Sequence, residues 1–183
     1  MAVTIEQIKA DLPDWPDDVI EQWLLKLANR GTDTGWPPPN PLGDHAWKYT
    51  ITNPLPWWKN VEWRLEVADC GIEKLSTSTS QIALKINLAL IQGIKNVWGD
   101  DDTRQRFNSA LQHILKQETF PKPLVAMRIQ SGLSVLDGNH RIAAHFHSQS
   151  VPERVLNKLG VRRPPCEQEI WIGSHKLGEM LDT

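Results

Sequence analysis

Two cysteines, one tyrosine, three phenylalanines and no excess of basic residues mark this 183-residue chain by what it lacks. Cys70 and Cys166 are too few, and too far apart in sequence, to suggest a disulfide framework or a zinc site, so packing must hold the fold. A formal net charge of −2 argues against a protein that depends on a broad basic face against nucleic-acid phosphates, while leaving a local patch open. The start, MAVTIEQIKADLPDW, has neither the basic head nor the apolar core of a secretory signal. No run approaches the roughly 20 apolar residues of a membrane span. The expectation is a cytoplasmic protein that does not enter a membrane, with signal-less export left open.

What the chain has instead is tryptophan. Six of its nine indoles (Trp15, Trp23, Trp36, Trp47, Trp57 and Trp58) precede residue 60, among many prolines. Packing inside the chain is the favoured reading of this bulk, and a surface for a partner or a stacked ligand is the alternative.

The element pattern is α+β. Thr4 with Gln7 three residues on has the form of a capping box, and Ile5, Ile8 and Leu12 have helical spacing that Pro13 ends. Asp17 and Asp18 open a second helix, with Val19, Ile20, Trp23, Leu24 and Leu27 on one face and Gly31 as its stop. TGWPPPNPLGDH and NPLPWWKN read as loops or extended pieces around a short strand at Trp47–Thr52. VEWRLEV (61–67) alternates as a half-buried strand does. QIALKINLALIQGIKNVWG is apolar nearly all round and predicts a buried central helix. Asp101-Asp102-Thr103 opens the next helix, with Phe107, Leu111, Ile114 and Leu115 inward. LVAMRI (124–129) and LSVL (133–136), joined by Gln130-Ser131-Gly132, read as a hairpin. Further helices are expected just past Gly138 and from Pro152 to Leu159, then a strand at Gln168–Ile172 and a weak helix over HKLGEML. The predicted fold is a small mixed sheet with packed helices over 61–183, with a helical insertion at about 80–118. A helical, Trp/Pro-rich extension over 1–60 precedes it.

LSVLDGNHRIAAH (133–145) carries the strongest functional signal. A strand breaks at Asp137-Gly138 and restarts at once as a helix. The first N–H groups of a helix lack intrahelical partners, and its dipole adds partial positive charge there. Gly138 lets a ligand approach the backbone, and Arg141 supplies a forked cation.

PLVAMRIQSGLSVLDGNHRIAAHF resembles ParB-like and sulfiredoxin-like domains, in which two strands lead into a D-G-x-[HR]-R-x-x-A signature. Here that signature is Asp137, Gly138, Asn139, His140, Arg141, Ile142, Ala143 and Ala144. The resemblance implies that Gly138, Asn139, His140 and Arg141 contact nucleotide phosphates, and that Ala144 lets the helix pack closely on the sheet. It extends loosely to Gln168–Ile172, and to Val61–Ser76 as an early strand and helix. Sulfiredoxins carry their catalytic cysteine directly after the glycine; Asn139 stands there, so a sulfinic-acid reductase is not expected. The helix-turn-helix and dimerisation tail of partitioning proteins are not expected either. Kinases of free serine and some nucleases share such a turn, so the resemblance implies phosphate chemistry without fixing which.

Asp137, His140 and Arg141 are thus the catalytic candidates. Asp137 serves as a base, a metal holder or a turn-fixing residue, His140 as an acid or a neutral donor, and Arg141 as the phosphate cation. His140, His145 and His147 do not share one helical face, so no metal site is assigned to them. Ser134 reads as a strand residue. Glu66 and Asp69 become a second carboxylate only if their strand lies beside the hairpin.

The leading expectation is an enzyme that binds a nucleotide or another phosphorylated small molecule and transfers or hydrolyses a phosphoryl group, with Mg²⁺ accompanying a nucleoside di- or triphosphate. One alternative is a nuclease, toxin- or phage-related, that uses Arg154, Lys158, Arg162 and Arg163 along a nucleic-acid backbone. The other is a non-enzymatic protein whose Trp/Pro-rich half, Trp57 and Trp58 included, binds a partner.

Overall fold

The computed structural model describes residues 2–30, 35–94, 97 and 102–178. Its centre is a four-stranded sheet of β1 (Val61–Asp69), β2 (Leu124–Ile129), β3 (Gly132–Asp137) and β4 (Glu167–His175) in the order β1-β4-β2-β3. β1 pairs antiparallel with β4, β4 parallel with β2, and β2 antiparallel with β3, so the sheet is mixed. The expected hairpin is therefore present, at one side of the sheet.

LVAMRI shows why the sheet is covered on both faces. Side chains alternate across a strand, and in β2 both sets are apolar. Leu124 and Ala126 join Ile170 and Ile172 in one core, with helices α5 (Thr77–Ile91), α6 (Thr103–Gln117) and α7 (Asn139–Ser150) packed over them. Val125, Met127 and Ile129 face the other way and share a second core with Ile8, Trp23, Trp47, Trp58 and Val61. Residues on both sides of position 60 build this second core.

The N-terminal layer begins with α1 (Ile5–Asp11), whose Thr4–Gln7 capping box is complete. A continuous helical stretch follows: α2 (Asp17–Val19), a π-helical segment at Ile20–Leu24, and α3 (Leu25–Ala28). Gly31, expected to stop this stretch, lies outside the described residues. Several indoles in this layer also pack against one another. Trp15 stacks on Trp23 at 6.0 Å between ring centroids and meets Trp63 edge-to-face at 5.0 Å, while Trp23 meets Trp58 edge-to-face at 5.2 Å. The N–H groups of Trp15, Trp23 and Trp63 are buried without a hydrogen-bond acceptor. Edge-to-face geometry sets positive ring edges against negative faces, which offsets part of that cost. Trp47 and Trp58 do find acceptors, the carbonyls of Gly35 at 3.0 Å and Asn53 at 2.9 Å.

Several expectations need correction. Trp47–Thr52 is not a strand: Ala46–Tyr49 is a 3-10 turn, with the His45 ring accepting from the Trp47 N–H. NPLPWWKN contains a short helix, α4 (Leu55–Trp58), because proline is tolerated in a first helical turn, where its missing donor costs nothing. α5 is not buried all round. Thr79, Ala83, Ile86 and Ala89 face the core, whereas Leu84, Leu88 and Ile91 are exposed. The early helix expected before Ser76 is only a 3-10 turn at Ile72–Lys74. At the C-terminal end His175 belongs to β4, and residues 179–181 of the expected last helix lie outside the described residues. Helix α8 (Glu153–Leu159) ends at Gly160 as expected. Among the described residues, no helix is long and apolar enough to cross a membrane.

Candidate functional site

Asp137 closes β3, Gly138 is the N-cap of α7 with φ +110°, and Asn139 begins the helix. No side chain caps α7. The positive end of a twelve-residue helix is therefore presented without a capping oxygen, and it opens into a cleft of about 510 Å³. That volume falls within the usual range for small-ligand sites.

The cleft draws its walls from four segments. The π-helical stretch and α3 supply Gln22 and Lys26, α6 supplies Arg106, Ser109 and His113, the approach to β2 supplies Lys122, and the turn itself supplies Asp137 to Arg141. Asp137 is the one carboxylate among the described lining residues. Lys26, Arg106 and Lys122 stand against it, and Arg141 pairs with it. Among the described lining residues the balance favours an anion.

Arg141 is the best-connected side chain of the turn. One terminal nitrogen, Nη1, donates to the carbonyls of Lys122 at 2.7 Å and Pro123 at 3.0 Å, and to Gln22 Oε1 at 3.2 Å. The other, Nη2, pairs with the Asp137 carboxylate four residues back. Burial pushes the Arg141 pKa down, and the Asp137 charge opposes that shift. Much of the guanidinium is thus spent on joining β3, the entry to β2 and the N-terminal layer. Asp137 is correspondingly a partner for Arg141, not a free base.

The other candidates separate. Asn139 Oδ1 is buried with no hydrogen-bond partner, and His140 lines the cleft. His147 instead packs edge-on to Phe107 at 5.7 Å. His145 is fully buried beside Phe120, with Nε2 3.0 Å from the Pro165 carbonyl. The three histidines do not converge, and no metal-ligand cluster of three or more occurs among the described residues. Ser134 sits within β3 opposite Met127 and does not line the cleft. Glu66 and Asp69 do not reach the turn. β4 and β2 lie between β1 and β3, a separation of roughly 14 Å at the usual strand spacing. Glu66 pairs instead with Arg128 at 3.3 Å, and Asp69 accepts from the Gly71 N–H at 2.8 Å.

The basic run at 154–163 is likewise divided. Arg163 donates to the Ser148 carbonyl at 3.3 Å and the Val151 carbonyl at 2.8 Å, and also to the carbonyl of Gln149. It thereby satisfies acceptors at the C-terminus of α7, where a cation is favoured. Arg154, Lys158 and Arg162 remain exposed.

His145 gives a pH prediction. Burial lowers its pKa below the ordinary 6.5, against weaker raising effects from the Pro165 carbonyl and Asp69. The unfolded chain therefore takes up a proton near pH 6.5 that the fold refuses, and stability drains away as pH falls below that value. The Tm of the wild type is expected to fall more steeply between pH 7 and pH 5 than that of His145→Gln. Parallel profiles in a thermal-melt series would refute this.

Gln22, Lys26, Arg106, Ser109, His113 and Lys122 are the polar lining residues that the sequence reading missed. Arg106, Ser109 and His113 recur at helical spacing along one edge of α6, beside the apolar face of Phe107, Ala110 and Ile114. That spacing marks a polar stripe, but nothing local says what it faces. Comparison of the chain with family models, curated proteins and solved structures found no match.

Proposed function

We propose that the cleft at the start of α7 binds a phosphorylated small molecule of the nucleotide class, in the manner of ParB/sulfiredoxin-like domains. The observation that carries this reading is the uncapped α7 N-terminus at Gly138, set in a cleft with Lys26, Arg106 and Lys122 around it. A phosphate there would accept from first-turn N–H groups and draw on the helix dipole, while Lys26 and Lys122 neutralise its charge.

Phosphoryl transfer or hydrolysis is the reaction class this site would serve, since positioning and charge neutralisation supply most of such catalysis. His113 and His140 are the imidazoles that line the cleft. Among the described residues the donor set does not fit a protein-held Mg²⁺, because the one lining carboxylate is already committed to Arg141.

Thermal shift with inorganic phosphate, pyrophosphate, AMP, ADP and ATP tests the proposal. A ligand at about 100 times its Kd stabilises the native state by about 2.7 kcal/mol, or a Tm rise of about 5–11 °C for a chain of this size. Lys26→Glu/Lys122→Glu changes two exposed side chains, so its unliganded Tm should stay within about 2 °C of wild type. Affinity should drop by about 10- to 100-fold, since each lost charge-assisted contact is worth about a kcal/mol or more. Failure of every phosphorylated ligand to raise Tm would overturn the reading, as would undiminished binding by the double variant.

A further inference from the structure

We propose that Cys70 and Cys166 form a reversible intrachain disulfide, which makes the end of the β1–β4 ladder a site of oxidative modification. The chain has no other cysteine, and 96 positions separate these two in sequence. The fold cancels that distance. Asp69 pairs with Glu167 at the end of the ladder, and the next position brings Cys70 opposite Cys166, with the Cys70 N–H donating to the Cys166 carbonyl at 2.9 Å. Directly opposed, hydrogen-bonded residues of an antiparallel pair have Cα atoms about 5.5 Å apart. Disulfides most often span that same separation.

Side-chain direction agrees. Opposed residues project from the same face of a sheet, and Cys70 and Cys166 both line one cavity of about 230 Å³ with His145 and Gln149 of α7. Cys70 belongs to the core beneath α5–α7 and is 2% exposed, whereas Cys166 is partly exposed. That asymmetry sets the order of events. With glutathione disulfide as oxidant, the Cys166 thiolate attacks one sulfur and releases a glutathione thiolate. The Cys70 thiolate then attacks Cys166 Sγ in the mixed disulfide and releases the second. Two protein thiols lose two electrons, one glutathione disulfide gains them, and the two thiol protons end on two glutathione molecules. Burial pushes the Cys70 thiol up to about 12, so resolution is slow.

The bond would close a long loop and restrict the unfolded chain. The oxidised protein should melt about 5–15 °C above the reduced one.

The test incubates the full chain with glutathione disulfide at mildly alkaline pH until the mass stops changing, so that slow resolution by Cys70 is complete, then quenches in acid, alkylates under denaturing conditions and reads intact mass and a non-reducing peptide map. Wild type should lose both alkylation sites, gain no glutathione and show a peptide joining positions 70 and 166. Cys70→Ser should instead keep a glutathione adduct on Cys166. The proposal is overturned if wild type retains two alkylatable thiols, accumulates an unresolved adduct at Cys166, or links only between chains.

Discussion

Arg141→Ala is expected to lose about 3–5 kcal/mol of folding stability, the range for removing one partner of a buried ion pair. Its Tm should fall by about 6–20 °C. The Arg141 and Asp137 side chains are only 13% and 26% exposed. Truncating the arginine leaves the carboxylate with its desolvation cost and without its partner. It also removes the donors to Lys122, Pro123 and Gln22, which hold the N-terminal layer to the turn. Removing both partners relieves the stranded charge, so Asp137→Ala/Arg141→Ala should cost less than the sum of the two single variants. Urea melts of the four proteins measure this. A loss under about 1 kcal/mol in Arg141→Ala would show that the contacts carry little stability. The consequence for function is practical. An Arg141→Ala protein that fails to bind phosphate has not shown that Arg141 touches phosphate, so exposed Lys26 and Lys122 are the cleaner probes.

The turn was legible because its information is local. Strand periodicity ending at Leu136, a glycine where the chain must turn, and helical spacing from Ile142 onward all lie within a dozen residues. The capping box at Thr4 was legible for the same reason. The cleft was not, because its cations come from three distant segments. Lys26 and Gln22 are one helical turn apart on a stretch whose periodicity speaks only of packing, and Lys122 stands in an irregular approach to β2. The burial of Gln22 follows from its bond to Arg141, 119 positions away. The cysteine pair was hidden likewise, since strand order and register, not spacing, bring positions 70 and 166 together. One failure on secondary structure belongs to proline: Pro54 and Pro56 stand in the cap and first turn of α4, and a rule that treats proline as a helix breaker misses its tolerance there.

Gly138→Ala tests whether the turn is built around the absence of a side chain. Its φ of +110° is a conformation that L-residues rarely adopt, and an added Cβ would lie 2.4 Å from Leu124 Cδ2 and 2.9 Å from Arg141 Nη2. Leu124 is fully buried and cannot withdraw cheaply. Backbone strain of about 1–3 kcal/mol and overpacking of about 1–3 kcal/mol together give an expected loss near 4 kcal/mol. Gly160→Ala separates the two effects. That residue also has positive φ, +67°, but an added Cβ would meet nothing within 4 Å. Its cost should be the backbone part alone, about 1–2 kcal/mol. Equal losses at the two positions would mean that the contacts with Leu124 and Arg141 relax freely. A clear excess at Gly138 would mean that β2, the Arg141 side chain and the first turn of α7 are packed to a common limit. In that case the same crowding that forbids a methyl group holds the α7 N–H groups rigidly toward the cleft, which is the geometry an anion site requires.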